Sequence, residues 1–549
     1  MSALVLLAAL TCHLFFKRYE PTNVPLLAGL LVVPPPVVMF LLQNGSLVVF
    51  KPLLRLYTLY YSGLLLSILT YRTSPLHPLW KYPGPVACKI SKLWLTFISS
   101  QGKLHLYVKQ LHDQYGPVVR IGPNEISISE VSLLPNILGA NGMPKGPLWQ
   151  GRRISGKQGA GSKEAARGNL IGSRDLKLHA EARKAWNRAF NPAAIKGYEP
   201  ILIRRVAQLT EALSSQKEEI IDLSQWLSFF SFDFMGDIAF GGGLELMRDG
   251  DREGLWHMME RGLYLPSLTQ HIPWSTGFLP YLPRVGQEMK ALGKFAFDQA
   301  KRRLEAGSLQ NDLFYHLMDE KRVNAEPYPF PLVVSNTVLA IVAGSDTSAT
   351  VLANTFFLLL SHSESYKRLQ LELEEVFPLG TTEPTDAAKL SNLPYLNAVI
   401  KESMRIFPPV ATSLQRAPTI GSGTKVLGDK IIIPEGTSVV VPPYTMHHDP
   451  RYFSPSPENY MPERWLAHDD PKFIVNEDAF IPFSVGPANC AGRSLAMLEI
   501  RMVVAFVMQT FEMQFADGYD KQCWEADLKD YFVMQKGSLP IIMTSRNPR

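Results

Sequence analysis

The residues best suited to chemistry in this 549-residue chain lie around Cys490, in the loop Phe483-Ser484-Val485-Gly486-Pro487-Ala488-Asn489-Cys490-Ala491-Gly492. A thiolate there can ligate a metal. The apolar stretch Arg493 to Met508 follows directly, so amides at the start of a helix can donate to the sulfur and stabilise its negative charge. Gly486 and Gly492 let backbone approach a flat macrocycle, and Phe483 can cover the ligand. The loop has the make-up of a haem-ligating thiolate; the alternative is one more buried apolar cysteine.

A second reactive group lies far upstream, where Ala343-Gly344-Ser345-Asp346-Thr347-Ser348 interrupts an apolar run. The spacing predicts one helix from Pro331 to His362, opened by a proline and about 48 Å long. Asp346 can supply protons, Thr347 can bond back to a carbonyl and orient a water, and Gly344 leaves room for a small molecule such as dioxygen. The competing reading is a polar patch on a surface helix.

Two helical pairs must position these groups. Glu402 and Arg405 stand at i and i+3 on one face, an arrangement that on residue type alone is usually exposed and worth tenths of a kcal/mol. His179 and Arg183 share another face, with Trp186 close by, in what is by itself a basic solvated pattern.

In order and spacing these segments resemble the cytochrome P-450 monooxygenases, over most of the chain from about Leu176 onward. The cysteine loop is similar to that family's Phe-x-x-Gly-x-Arg-x-Cys-x-Gly, and its Gly-Pro-Ala-Asn-Cys wording resembles fungal microsomal members. One position departs: Ala488 stands where the family has an arginine that pairs with a haem propionate. The resemblance implies a mainly α fold with small β-sheets around haem b (iron protoporphyrin IX), with Cys490 as the axial metal ligand and Phe483, Gly486 and Gly492 beside it. It also implies that Asp346 and Thr347 are the catalytic acid–alcohol pair above the haem. His179 and Arg183, with Trp186 and Arg416, would anchor the cofactor in place of the lost arginine. Arg464, in Tyr460-Met461-Pro462-Glu463-Arg464-Trp465, would join Glu402 and Arg405 in a buried ionic triad.

The implied reaction is hydroxylation of a lipophilic small molecule in fungal secondary metabolism, such as terpenoid tailoring. It uses O2 and electrons from NADPH-cytochrome P-450 reductase, with cytochrome b5 as a second donor. Two other classes stay open: a haem-thiolate isomerase or dehydratase, and a non-catalytic haem sensor or electron carrier.

Composition agrees with a membrane-held enzyme that lacks its own electron source. No flavin module is evident, and a net charge of +5 with 19% charged residues suits a basic face for an acidic partner. Four cysteines, Cys12, Cys88, Cys490 and Cys523, show neither CxxC spacing nor a disulfide framework. Residues 1–70 carry apolar runs Ala3–Phe16, Val24–Phe50 and Leu53–Leu69, which predict one to three membrane crossings, with a cleaved signal peptide as the alternative for the first. The same resemblance implies that residues 71–85 form a proline-rich hinge and 86–549 the haem-thiolate domain, on the cytosolic side of the endoplasmic reticulum membrane. Val118–Ile121 and Glu125–Ser129 predict a hairpin. Asn141 to Gly172 is a substrate-covering lid or an ordinary loop. Its Gly156 to Gly161 spacing ends in Ser162, not the lysine of a phosphate loop, so neither nucleotide nor nucleic acid is expected.

Overall fold

A computed structural model of the chain describes residues 2–19, 23–42, 50–152, 169–216, 220–282, 285–307, 311–319, 329–419, 421–428, 431–466 and 470–546. The Gly156–Gly161 stretch and Ser162 lie outside the described residues.

The centre of the protein is the helix Phe330–Ser361, one residue out of step with the sequence expectation at each end. Every residue from Ser348 to Leu359 is buried, because the helix is apolar on all sides and is enclosed by other helices. Chief among these are Leu223–Phe240, buried without a break from Leu227 onward, and Arg493–Thr510, which carries the cysteine loop at its N-terminus. Phe330–Ser361 is long and apolar enough to cross a membrane, but here it forms the middle of a protein core.

Small sheets flank this helical mass. Val118–Gly122 and Glu125–Ile128 form the expected antiparallel hairpin; Ser438–Val441 joins it in parallel, and Leu414–Arg416 completes the sheet. Phe511–Phe515, Pro540–Ser545 and Ile221–Asp222 make a second, antiparallel sheet. A C-terminal hairpin, Lys529–Tyr531 with Val533–Gln535, reaches back to the central helix, where the Thr350 hydroxyl donates to Met534 O at 3.0 Å.

The N-terminal apolar runs fold as Ser2–Tyr19, Val24–Val32, Pro34–Leu42 and Phe50–Thr73. Lys51–Thr73 is long and apolar enough to span a membrane, and Val24–Val32 with Pro34–Leu41 passes the same test as a pair bent by 43°. The bend follows from Pro34-Pro35-Pro36, whose missing N–H groups deprive Leu30, Leu31 and Val32 of helical partners. Three tyrosines of the following helix replace them: Tyr60 Oη donates to Leu30 O at 2.7 Å, Tyr61 to Leu31 O at 3.0 Å and Tyr57 to Val32 O at 2.7 Å. An unmet carbonyl shielded from water costs several kcal/mol, so these tyrosines make the proline bend tolerable. Buried Arg120, on the strand Val118–Gly122, fastens the Phe50–Thr73 helix to the sheet by donating to Arg72 O at 3.0 Å.

Candidate active site

Cys490 is held in a tight loop: its N–H donates to Phe483 O at 2.9 Å, and Asn489 N–H donates to Gly486 O at 3.1 Å. The turn needs φ of +76° at Gly486, where a Cβ would lie 2.1 Å from Leu138 O. Glycine is therefore required twice over, by conformation and by contact. Gly492 differs, since a Cβ there would meet only Phe190, at 3.8 Å.

Two influences compete at the thiol of Cys490. Desolvation is the strongest influence and pushes its pKa up, while the amides of Gly492 and Arg493 and the charges of Arg183 and Arg493 act the other way. Cys490 nevertheless remains exposed to a solvent-sized probe. Exposure matters more for ligation, because a metal must reach the sulfur, and a bound cation deprotonates a thiol outright.

Glu402, Arg405 and Arg464 come together with fully buried side chains. Arg405 grips Glu402 in a fork of two 2.8 Å bonds, and Arg464 Nε adds a third at 3.0 Å. Met461 N–H at 2.9 Å and Trp465 Nε1 at 2.8 Å complete the carboxylate's partners. The cluster connects to the cysteine loop through His447. Arg405 Nη1 donates to its carbonyl at 2.8 Å, and its Nε2 accepts from Ile481 N–H at 3.0 Å, two residues before Phe483. Burial and the charge of Arg405 push the His447 pKa down to about 3, so the ring is neutral and free to accept.

His179, Arg183 and Arg416 gather into a cationic corner with Lys145, a residue not singled out from sequence. His179 is buried and pushed down to about 4, first by desolvation and then by Lys145, Arg183 and Arg416. Such a concentration of positive charge suits carboxylates such as haem propionates. Lys145 enters it because its backbone bridges to Arg416, while its ammonium donates to Leu170 O and Ile171 O, both at 2.9 Å. Arg183 ties the Leu176–Ala189 helix to the cysteine loop: Nη1 donates to Asn489 O at 2.6 Å and Nη2 to Asn489 Oδ1 at 2.8 Å. Trp186 is buried, stacks on Phe190 and donates to Asn336 Oδ1 of the central helix at 3.3 Å.

On that helix, Thr347 Oγ1 donates back to Ala343 O at 2.6 Å. Asp346 is 2% exposed, and neither carboxylate oxygen has a hydrogen-bond partner among the described residues; burial pushes its pKa up to about 6. One expectation is corrected. Gly344 does not open space for dioxygen, because a Cβ there would sit 2.5 Å from Met235 Sδ. Its missing side chain lets two helices pack closely, and Ala343 is the exposed residue at this level.

Glu499, on the cysteine-loop helix, went unnoticed in the sequence, where only its position inside an apolar run marks it. It is 1% exposed and accepts from Ser231 Oγ at 3.0 Å and Ser348 Oγ at 2.8 Å, joining three helices beside Thr347. Desolvation pushes its pKa from 4.5 up to about 8. For an acid whose folded-state pKa is raised, the associated stability is complete below the unfolded value and lost as pH rises through the folded one. The stability that Glu499 contributes should therefore fall between about pH 4.5 and pH 8, and the melting temperature of Glu499→Gln relative to the parent should rise across that range by calorimetry.

With this geometry in place, the comparisons are decisive. The cytochrome P450 family profile matches residues 82–539, and the chain belongs to that family. It is 30% identical to cytochrome P450 67 of Uromyces fabae over 99% of both chains. It is also 30% identical to tryprostatin B 6-hydroxylase of Aspergillus fumigatus, covering 97% of this chain and 93% of the relative. Cytochrome P450 monooxygenase nodW of Hypoxylon pulicicidum is a further relative, again at 30% identity, covering 93% and 92%. Membership makes the protein a haem-dependent monooxygenase, and it implies a cysteine-thiolate haem.

Proposed function

We propose that the protein hydroxylates a lipophilic small molecule of fungal secondary metabolism, with Cys490 as the axial ligand of haem b. Electrons come from a separate NADPH-cytochrome P450 reductase, with cytochrome b5 as an auxiliary donor, at the cytosolic face of the endoplasmic reticulum. A terpenoid skeleton is the first substrate class to test. The observation that carries this reading is the buried Asp346, without a hydrogen-bond partner among the described residues, beside a hydroxyl turned back on its own helix. A haem sensor, an electron carrier or an isomerase that uses no external protons has no need of that pair.

When bound, the haem supplies oxygen activation assisted by electron donation from the thiolate. The chain's own residues do the rest. Asp346, pushed up to about 6, can exchange a proton close to neutral pH, and Thr347 would pass it through its hydroxyl into the site. Lys145, His179, Arg183 and Arg416 would hold the haem carboxylates, with Lys145 adding positive charge where Ala488 has none. The Glu402 cluster keeps the cysteine loop in shape.

The test is coexpression with the reductase in a host fed candidate lipids. Incorporation of one atom of labelled O2, strictly dependent on NADPH, supports the reading; conversion without NADPH points to the isomerase, and no conversion of any lipid alongside normal electron uptake points to the carrier. Thr347→Ala should keep consuming NADPH while product formation falls by about 10²-fold and hydrogen peroxide rises. Full coupling of electrons to product in that variant contradicts the assignment of Thr347.

A further inference from the structure

Asp346 is not the only unsatisfied polar group at its level. The ammonium of Lys536, directly after the strand Val533–Gln535, is also buried without a hydrogen-bond partner among the described residues. Two contacts bring the hairpin and the helix Leu255–Thr269 to this point. Thr350 Oγ1 donates to Met534 O at 3.0 Å, one turn beyond Asp346, and Gln535 Nε2 donates to Glu260 O at 2.8 Å. A third joins the two helices: Ser345 Oγ lies 3.8 Å from Met259 Sδ, each residue adjacent to one of the acids. A buried ammonium and a buried carboxyl, each without a hydrogen-bond partner among the described residues, thus lie on elements that meet beside Glu260.

We propose that Lys536 and Glu260 form one proton-holding cluster with Asp346, loaded from the surface at the His257–Asp251 pair. The three elements that meet here supply its charges: Asp346 from the central helix, Lys536 from the hairpin, and Glu260 with His257 from the third. The side chains are electrostatically coupled. Lys536 lowers both acids, Asp346 raises Glu260, His257 lowers it and Asp251 raises it. Desolvation nevertheless leads at both sites and leaves Asp346 at about 6 and Glu260 at about 7, values suited to exchanging one proton near neutrality. His257 is half exposed and its Nδ1 lies 2.7 Å from Asp251 Oδ2, which gives the cluster a contact with water.

Each transfer balances. When Asp346 releases its proton inward, Glu260 replaces it through water held beside the Lys536 ammonium, which keeps its charge throughout, and solvent at the His257–Asp251 pair restores Glu260, so every group returns to its starting state. Lys536 and Glu260 are positioning and relay residues in this scheme, while Asp346 delivers. The use made of the proton rests on the monooxygenase reading; the coupling among the three side chains does not.

Infrared spectroscopy of the full-length, haem-loaded protein in lipid nanodiscs tests the coupling without turnover. Asp346→Asn and Glu260→Gln assign the two protonated-carboxyl bands, and reduced carbon monoxide spectra check each variant independently of them. In Lys536→Met the Asp346 band should persist to higher pH by about one unit, with Lys536→Arg restoring the original midpoint. In Glu260→Gln, deuteration of the Asp346 carboxyl should slow by about tenfold. An unchanged Asp346 midpoint in Lys536→Met, or an unchanged deuteration rate in Glu260→Gln, overturns the proposal and leaves the monooxygenase reading intact.

Discussion

Glu402→Ala should yield a protein that loses about 3–5 kcal/mol of stability and retains no haem. The carboxylate accepts from Arg405, Arg464, Met461 and Trp465 in a place no solvent reaches. Removing it strands two buried guanidinium groups facing each other, and their desolvation goes uncompensated. Arg405 would keep its bonds to the carbonyls of His447 and Asn459, but its orienting fork would be gone. His447 supports Ile481, so the disturbance reaches the entrance of the cysteine loop. Glu402→Gln is the milder comparison: it keeps the shape and some acceptors but not the charge, and it should still lose haem. Urea titration and haem-to-protein absorbance ratio measure both; normal haem content in Glu402→Ala contradicts this role for the cluster.

Gly486→Ala should be the second most damaging change. A left-handed conformation costs an alanine about 1–2 kcal/mol, and overpacking adds about 1–3 kcal/mol. The obstructing atoms are the backbone of Leu138 and Gly139, which cannot rotate aside. Together these amount to about 2–5 kcal/mol of folding stability, lost with or without haem. Gly492→Ala provides the contrast, because a Cβ there finds no clash within the chain. That variant should match the parent in stability without haem and weaken only haem binding, whereas Gly486→Ala should be destabilised in both forms. Calorimetry with and without haem separates the two; equal behaviour contradicts the view that Gly492 leaves room for the macrocycle.

What could be read in advance followed how locally each feature is encoded. The cysteine loop, the Glu402–Arg405 pair and the acid–alcohol pair each occupy a few consecutive residues, so their spacing carries their meaning. The long helix showed itself by an apolar run flanking a short polar break. The proline bend near the N-terminus was visible as an interruption, yet Tyr57, Tyr60 and Tyr61 gave no sign that they would satisfy the orphaned carbonyls, since that depends on helix-to-helix register. Lys145, Glu499 and Lys536 escaped notice for the same reason: each acquires its role from partners remote in sequence. Gly344 was misread because a missing side chain serves a cavity or a close helix contact equally well, and only the position of Met235 distinguishes them.

The central claim is that the sulfur of Cys490 bonds to the haem iron. Dithionite reduction of the purified full-length protein under carbon monoxide should give the red-shifted Soret band characteristic of thiolate ligation, and Cys490→Ala should abolish it while binding of other reporters of folding persists. A folded, haem-loaded parent that never develops that band, or a Cys490→Ala protein that develops it undiminished, contradicts the account.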